Sequence, residues 1–229
     1  MVCFQFEQPA GRNTQGDNCD KRAYTAEMRD KLTGALIGLA RATEGNDHLV
    51  SDSTAAVTVE GLFATLTNGS TDNDGLSAIM ERVDAEKRKL VPECYKCASA
   101  CGRNNEYDMQ KLWQADEDIR SLKSLILFGI RGIAAYAYHA AVLGCRDTRV
   151  HKFLYKALFA IGMDDWGVEE LLPIVMEAGE ISLRCIAMLG KASLECVGHP
   201  EPAFISSNVL NLLVESFHNA TATAPKTHI

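Results

Sequence analysis

Three cysteines lie close together near the middle of the chain. Cys94, Cys97 and Cys101 fall within eight consecutive residues, separated by two and three residues. Pro92 precedes them and Gly102 follows, so the segment is expected to be a loop that turns tightly. Three thiolates in one loop can converge on one metal centre, and soft sulfur ligands suit iron–sulfur clusters or zinc. The spacing therefore predicts a metal site, and the alternative is a loop whose small apolar cysteines pack inward.

The other cysteines are spread along the chain, which contains eight in all. A fourth ligand for the loop would have to come from elsewhere, for example from Cys3, Cys19 or Cys145. Cys185 lies within an apolar run and is expected to be a core residue. In a reducing compartment these thiols are not expected to form disulfides. An iron–sulfur cluster is the first expectation for the loop, and a closed tetrahedral zinc site is the weaker alternative.

Composition limits the classes of partner. The chain has 229 residues, is 47% apolar and carries a net charge of −7, which argues against a nucleic-acid surface. Its first residues lack the basic start and apolar core of a signal peptide. The longest apolar stretch, residues 126–143, is interrupted by Arg131 and His139 and is typical of a buried helix rather than a membrane span. We therefore expect a cytoplasmic protein without nucleic-acid or membrane partners.

Apolar residues recur at helical spacing along almost the whole chain, and no run alternates as a strand would. Predicted helices begin near Thr25, at Ser51 or Asp52, and at Thr71 or Asp72, and further ones cover 115–143, 148–161, 168–189 and 204–217. The fold class is therefore all-α, and the short links favour two three-helix bundles. The predicted divisions are a cysteine-containing leader (1–24), a first bundle (25–92), a cysteine loop (93–108), a second bundle (109–202) and a C-terminal tail (203–229).

No catalytic residues stand out. The sequence has no glycine-rich phosphate loop and no convincing pair of nucleophile and base. His139 is expected to be a packed histidine with satisfied hydrogen bonds rather than a ligand.

Several short segments together resemble one family. They are residues 1–11 (Met-Val-Cys-Phe-Gln-Phe-Glu-Gln-Pro-Ala-Gly), 107–109, 115–123, 129–136 and 198–202. The chain resembles the hybrid-cluster proteins, also called prismane or hydroxylamine reductase proteins, over nearly its whole length to about Pro202. The resemblance implies their N-terminal helical domain of two three-helix bundles. It also implies a leader whose four cysteines hold a cubane or 2Fe–2S cluster that relays electrons.

The family's ligands transfer only in part. Cys3 matches the first leader cysteine and Cys19 matches the third. The second falls on Phe6, which cannot bind iron, and the fourth falls in the region 21–25, which has no cysteine. In the family, two further α/β domains carry the hybrid iron–sulfur–oxygen cluster at which hydroxylamine is reduced. Its ligands lie beyond the end of this chain.

Two functions follow as expectations. The first is a truncated hydroxylamine reductase-like protein, which is an iron–sulfur electron-relay domain without the hybrid-cluster active site. Its candidate metal ligands are Cys3, Cys19, Cys94, Cys97 and Cys101. Its partner would be a redox protein or the remaining hybrid-cluster domains, and this chain alone is not expected to be catalytically competent. The alternative is a non-catalytic helical structural or interaction protein that kept the fold and lost the cluster.

Overall fold

The computed structural model describes residues 23–66, 73–90 and 106–198, and these residues are almost entirely helical. Seven α-helices follow one another: α1 (Ala23–Thr43), α2 (Asp52–Leu66), α3 (Asn73–Leu90), α4 (Met109–Trp113), α5 (Glu117–Val142), α6 (Thr148–Gly162) and α7 (Val168–Val197). A 3-10 turn, Asp47–Leu49, lies between α1 and α2. No strand occurs in the described ranges, and the all-α prediction is confirmed there.

Local capping explains several helix boundaries. Ser51 caps α2, because its Oγ accepts a hydrogen bond from the Thr54 backbone N–H at 3.2 Å and Thr54 Oγ1 accepts one from the Ser51 N–H at 3.3 Å. At the end of α5, the N–H groups of Gly144 and Cys145 donate to the carbonyls of Ala141 and Ala140. Gly144 has φ +82°, the left-handed geometry in which glycine is favoured at a helix end.

Two helices differ from the prediction. The short α4 was not predicted, since five residues give too little apolar periodicity to detect. It is capped by Asp108, whose Oδ1 accepts from the Gln110 N–H at 2.9 Å. α7 continues past the expected end at residue 189 as far as Val197. The predicted caps Thr71 and Asp72 and the predicted helix 204–217 lie outside the described residues.

The first three helices all contact one another. α2 and α3 are antiparallel, because Ser53 and Thr54 at the start of α2 donate to Glu86 near the end of α3, and Glu60 pairs with Arg82 at 2.8 Å. This arrangement brings the N-terminal turn of α2 against the last turns of α3.

Helices α5, α6 and α7 form a second mutually contacting set. Ion pairs Arg149–Glu180 and Lys156–Glu177 make α6 antiparallel to α7. α5 and α7 run parallel, because later residues of α5 contact later residues of α7. A Cβ at Gly129 would lie 3.6 Å from Ala178, and Cys185 Sγ lies 3.5 Å from the Ile133 carbonyl. Further along both helices, Cys196 Sγ lies 3.5 Å from the Leu143 carbonyl.

The two sets share a single core. α2 packs on α5, α1 packs on α6, and buried apolar residues from all seven helices form one continuous cluster. Grouping the helices into two separate bundles therefore stays a prediction. α5 is the one described helix long and apolar enough to cross a membrane. It also contacts α2, α6 and α7 and buries Lys123 and Arg131, as a core helix does.

Candidate functional site

The five candidate metal ligands, Cys3, Cys19, Cys94, Cys97 and Cys101, lie outside the described residues. The structure does describe where their segments join the helical core. The leader leads into α1 at Ala23, and the cysteine loop leaves α3 after Leu90, which is buried. The described chain resumes at residue 106.

The end of the cysteine loop is anchored on the middle of α1 by Tyr107. Its backbone N–H donates to the Gly34 carbonyl at 3.2 Å. A Cβ built at Gly34 would lie 2.3 Å from the Tyr107 carbonyl oxygen, so only glycine allows this close approach. The Tyr107 ring is buried beneath the Arg41 guanidinium, 5.3 Å from its centroid. Burial raises the pKa of Tyr107 to about 12, which keeps the phenol neutral. The loop therefore ends at a fixed point.

Two buried arginines lie between α1 and α5. Arg29 and Arg131 are each 1% exposed. Arg131 Nη2 donates to Thr33 Oγ1 at 3.2 Å, and that hydroxyl donates to the Arg29 carbonyl at 2.8 Å. Burial lowers the pKa of Arg131 to about 10, although the negative charge of nearby Asp30 acts in the opposite direction and raises it. Arg131 of α5 therefore stays charged at neutral pH and faces α1.

The end of α6 receives two further cations. Lys123, 3% exposed, donates to the Met163 carbonyl at 2.6 Å, and the Arg41 guanidinium donates to the Gly162 carbonyl. Cations stabilise the negative end of a helix dipole. Burial lowers the pKa of Lys123. These contacts join α1 and α5 to α6, and they have a structural role.

The cysteines inside the described part of the chain do not form a metal site. Cys185 is fully buried, and burial raises its pKa to about 12, which confirms the prediction of a core residue. Cys145 follows the glycine that ends α5, and Cys196 is exposed on α7. No cluster of three or more His, Cys, Asp or Glu side chains able to hold a metal occurs among the described residues. A role for Cys145 as a fourth ligand stays a prediction.

His139 packs as expected, but its hydrogen bonding is not satisfied as predicted, because its buried Nε2 has no hydrogen-bond partner among the described residues. Its ring makes edge contacts with Phe63 at 5.3 Å and with Tyr138 at 5.6 Å. Burial lowers its pKa, which favours the neutral imidazole.

A shallow groove of about 200 Å³ lies between α2, α5 and the start of α6. Asp52 and Glu60 contribute carboxylates to its wall, and Arg146 and His151 contribute basic groups. Burial lowers the pKa of His151, and the positive charge of Arg146 lowers it further. The remaining lining residues are Ala56, Val59, Ala137, Tyr138, Ala141 and Val142. Among the described residues that line the groove, no hydrogen bond joins a nucleophile to a base.

Sequence reasoning did not select Tyr107, Arg29 or Arg131 as parts of a site. One signal was available: Arg131 interrupts a long apolar run, and a charge at such a position is buried only with polar partners.

Comparison with known proteins identifies the family. The model of the Prismane/CO dehydrogenase family matches residues 1–214. The hydroxylamine reductase of Thermodesulfovibrio yellowstonii is 35% identical, with 88% of this chain and 41% of the relative covered. That of Chlorobaculum tepidum is 33% identical, with 91% of this chain and 41% of the relative covered. That of Solidesulfovibrio magneticus is 30% identical, with 90% and 42% covered. The chain thus spans about two fifths of the length of these curated relatives.

The match covers both cysteine-bearing segments, the Tyr107 anchor and all seven helices, and it confirms the resemblance seen in the sequence. This chain belongs to the Prismane/CO dehydrogenase family.

Proposed function

We propose that this chain is an electron-relay unit of a hydroxylamine reductase-like protein that holds an iron–sulfur cluster through its cysteine segments. The observation that carries the proposal is the family match over residues 1–214, which includes the leader and the cysteine loop. When bound, such a cluster accepts and passes on single electrons. Reduction of hydroxylamine itself would need a hybrid-cluster site, for which this chain has no identified ligands.

The donor set suits an iron–sulfur centre. Cys94, Cys97 and Cys101 supply three thiols at short spacing, and Cys3 or Cys19 would complete four ligands. A four-thiolate cluster carries net negative charge, and buried cations nearby favour it. Arg29 lies six residues into α1 from Ala23, about 9 Å along the helix. If the leader cysteines hold the centre, Arg29 is the buried cation of the described residues that lies closest to them along the chain.

We further propose a cytoplasmic location, with a redox protein or the remaining hybrid-cluster domains as partner. Cysteines that bind a cluster must not be oxidised to disulfides, and a reducing compartment prevents this. A relay unit also needs an electron donor and an electron acceptor. The role of acceptor suits the part of the relatives' length that lies outside the match.

Anaerobic reconstitution tests the cluster directly. The full chain, incubated with iron and sulfide under reducing conditions and desalted, is expected to retain both elements in equal amounts. It is also expected to show an absorbance band at about 400 nm, typical of thiolate-bound iron–sulfur clusters. A colourless protein without iron after reconstitution would contradict the proposal.

A pair of cysteine variants assigns the ligands. Cys97→Ser is expected to lower the iron content by more than half, because serine is a poorer ligand for iron–sulfur clusters. Cys196→Ser is the matched control, since Cys196 is exposed on α7 away from both cysteine segments in sequence. Its iron content is expected to equal that of the wild type. Equal loss in both variants, or in neither, would remove the cysteine loop from the site.

The arginine pair provides a second measurement. Arg131→Met is expected to lower the midpoint potential of the cluster, since removing a nearby buried cation disfavours the added electron. Arg120→Met, at an exposed position of the same helix, is expected to leave the potential unchanged.

The second candidate function is a non-catalytic helical protein that kept the fold and lost the cluster. Phe6 favours it, because it stands where the family's second leader cysteine is expected. A stoichiometric cluster bound through Cys3 or Cys19 would exclude this function. Zinc in the cysteine loop is the weaker third candidate, and metal analysis of the purified chain separates it from iron.

A further inference from the structure

The last turns of α7 present an apolar strip on the surface. Exposed apolar residues and one glycine recur there at intervals of three and four residues, and they are Leu183, Ile186, Gly190 and Leu194. At about 100° per residue, these four positions fall within about 80° of the helix circumference. The adjoining side of α7, which faces α6, carries charged residues such as Glu180 and Arg184. The four positions, here called the α7 strip, are therefore apolar and exposed, and charge borders them on one side.

The glycine at the centre of the α7 strip is not required by the packing of the described residues. A Cβ built at Gly190 would meet nothing within 4 Å, and glycine in the interior of a helix is disfavoured relative to alanine. Leu183 is 70% exposed, and Leu194 is 50% exposed. The strip therefore has a shallow centre between large exposed side chains, a shape that allows another helix to approach closely.

The chain continues from this end of α7 into a segment whose residue pattern complements the strip. Residues 204–217, for which the sequence predicts a helix, lie outside the described residues. On a helix, seven large apolar residues of this segment share one side of about 200° with two serines. They are Ile205, Val209, Leu210, Leu212, Leu213, Val214 and Phe217. The opposite side holds Asn208, Asn211 and Glu215, and a helix with this pattern buries its apolar side against a neighbour.

A short connection tethers this segment to the strip. α7 ends at Val197, where Gly198 has the left-handed φ of +81°, and five residues, 199–203, then precede residue 204. This connection spans up to about 20 Å, whereas packed helices lie roughly 8–10 Å apart. A helix of fourteen residues is about 21 Å long, which equals the distance along α7 from Val197 back to Leu183. The tether also gives the segment an effective concentration on the order of millimolar at the strip, which favours it over a separate molecule.

We infer that residues 204–217 form a helix that packs antiparallel along the α7 strip of the same chain and covers it. With residue 204 beside Val197, the segment runs back along α7, so that Val209 meets Leu194. Leu213 then lies over Gly190, and Phe217 reaches Leu183. The contact closes the C-terminal half of α7 against other partners, and it is independent of the proposed cluster.

Hydrogen–deuterium exchange of the full chain, measured by mass spectrometry, tests this contact. Gly190→Leu places a leucine in the space over which Leu213 packs, and it is expected to release the segment. The backbone amides of residues 204–217 should exchange about tenfold or more faster in this variant than in the wild type. Because leucine favours the helix, α7 itself is expected to keep its protection, which separates release of the segment from unfolding.

Gly179→Leu is the matched control. A Cβ at Gly179 also meets nothing within 4 Å, but this glycine lies about 27 Å from Val197 along α7, beyond the end of a docked helix of about 21 Å. Exchange in residues 204–217 is expected to stay as in the wild type. Unprotected amides in the wild-type segment, as expected if something else covers the strip, would overturn the inference. So would equal effects of the two variants, or protection that is lost on about tenfold dilution, which would mark a contact with a second copy.

Discussion

Glu86 illustrates how this fold accommodates a buried carboxylate. It is 5% exposed and accepts hydrogen bonds from Ser53 Oγ at 2.6 Å, Thr54 Oγ1 at 2.9 Å and Lys89 Nζ at 2.6 Å. Burial alone would raise the pKa of Glu86, but these donors outweigh it and hold the pKa below its ordinary value. The carboxylate therefore joins the start of α2 to the end of α3.

This pKa direction gives a prediction about pH. Because the folded-state pKa of Glu86 is depressed, its stabilisation is present above the ordinary pKa of 4.5 and is lost as the pH falls through the lower folded value. Glu86→Gln is expected to lower the free energy of unfolding by about 1–3 kcal/mol at pH 7. The difference from wild type should shrink towards pH 3. Urea unfolding at several pH values measures it.

The control for this variant is Glu81→Gln, at an exposed position of the same helix. Its free energy of unfolding is expected to stay within about 0.5 kcal/mol of wild type. A loss for Glu86→Gln that is equal at pH 7 and pH 3 would show that shape rather than charge matters at this position.

At the scale of elements, capping residues mark the start of α2, whereas the short α4 carries no signal long enough to detect. Of the two predicted caps, Ser51 and Asp52, the structure has Ser51, because its side chain satisfies a free N–H group at the start of α2. α4 escaped prediction because its five residues form less than two turns. The close approach of Tyr107 to α1 was also not predicted, since nothing in the neighbouring sequence specifies a partner 73 residues away.

The contact between Gly34 and Tyr107 can be tested by one methyl group. Gly34→Ala places a Cβ 2.3 Å from the Tyr107 carbonyl oxygen, so the backbone must move. We expect a loss of about 1–3 kcal/mol in the free energy of unfolding, despite the better helix propensity of alanine. Gly129→Ala is the control, since its Cβ would make an ordinary 3.6 Å contact with Ala178. Equal stability of the two variants, measured in urea, would argue against a fixed anchor.

At the scale of the whole molecule, the shared core bears on whether the two helical sets fold separately. Buried residues of α1 and α2 pack against α6 and α5 within one cluster. An interface of this kind couples the stability of its two sides. The described part of the molecule is therefore expected to unfold as one unit rather than as two bundles.

The two tryptophans make this prediction measurable. Trp113 and Trp166 both lie after residue 106, outside the first helical set. Their fluorescence and the circular dichroism of all the helices should give the same urea midpoint within error. A first circular dichroism transition without a change in fluorescence would instead mean that α1–α3 unfold on their own.

The sequence by itself determined the helical class, most helix boundaries, the core role of Cys185 and the family, because these depend on local periodicity, capping and motif order. Only the tertiary structure decided that Arg29 and Arg131 are buried together, that Tyr107 anchors the cysteine loop and that all seven helices share one core. Such features arise where distant segments meet. Their energies depend on burial and on partners far apart in the chain, which no local pattern encodes.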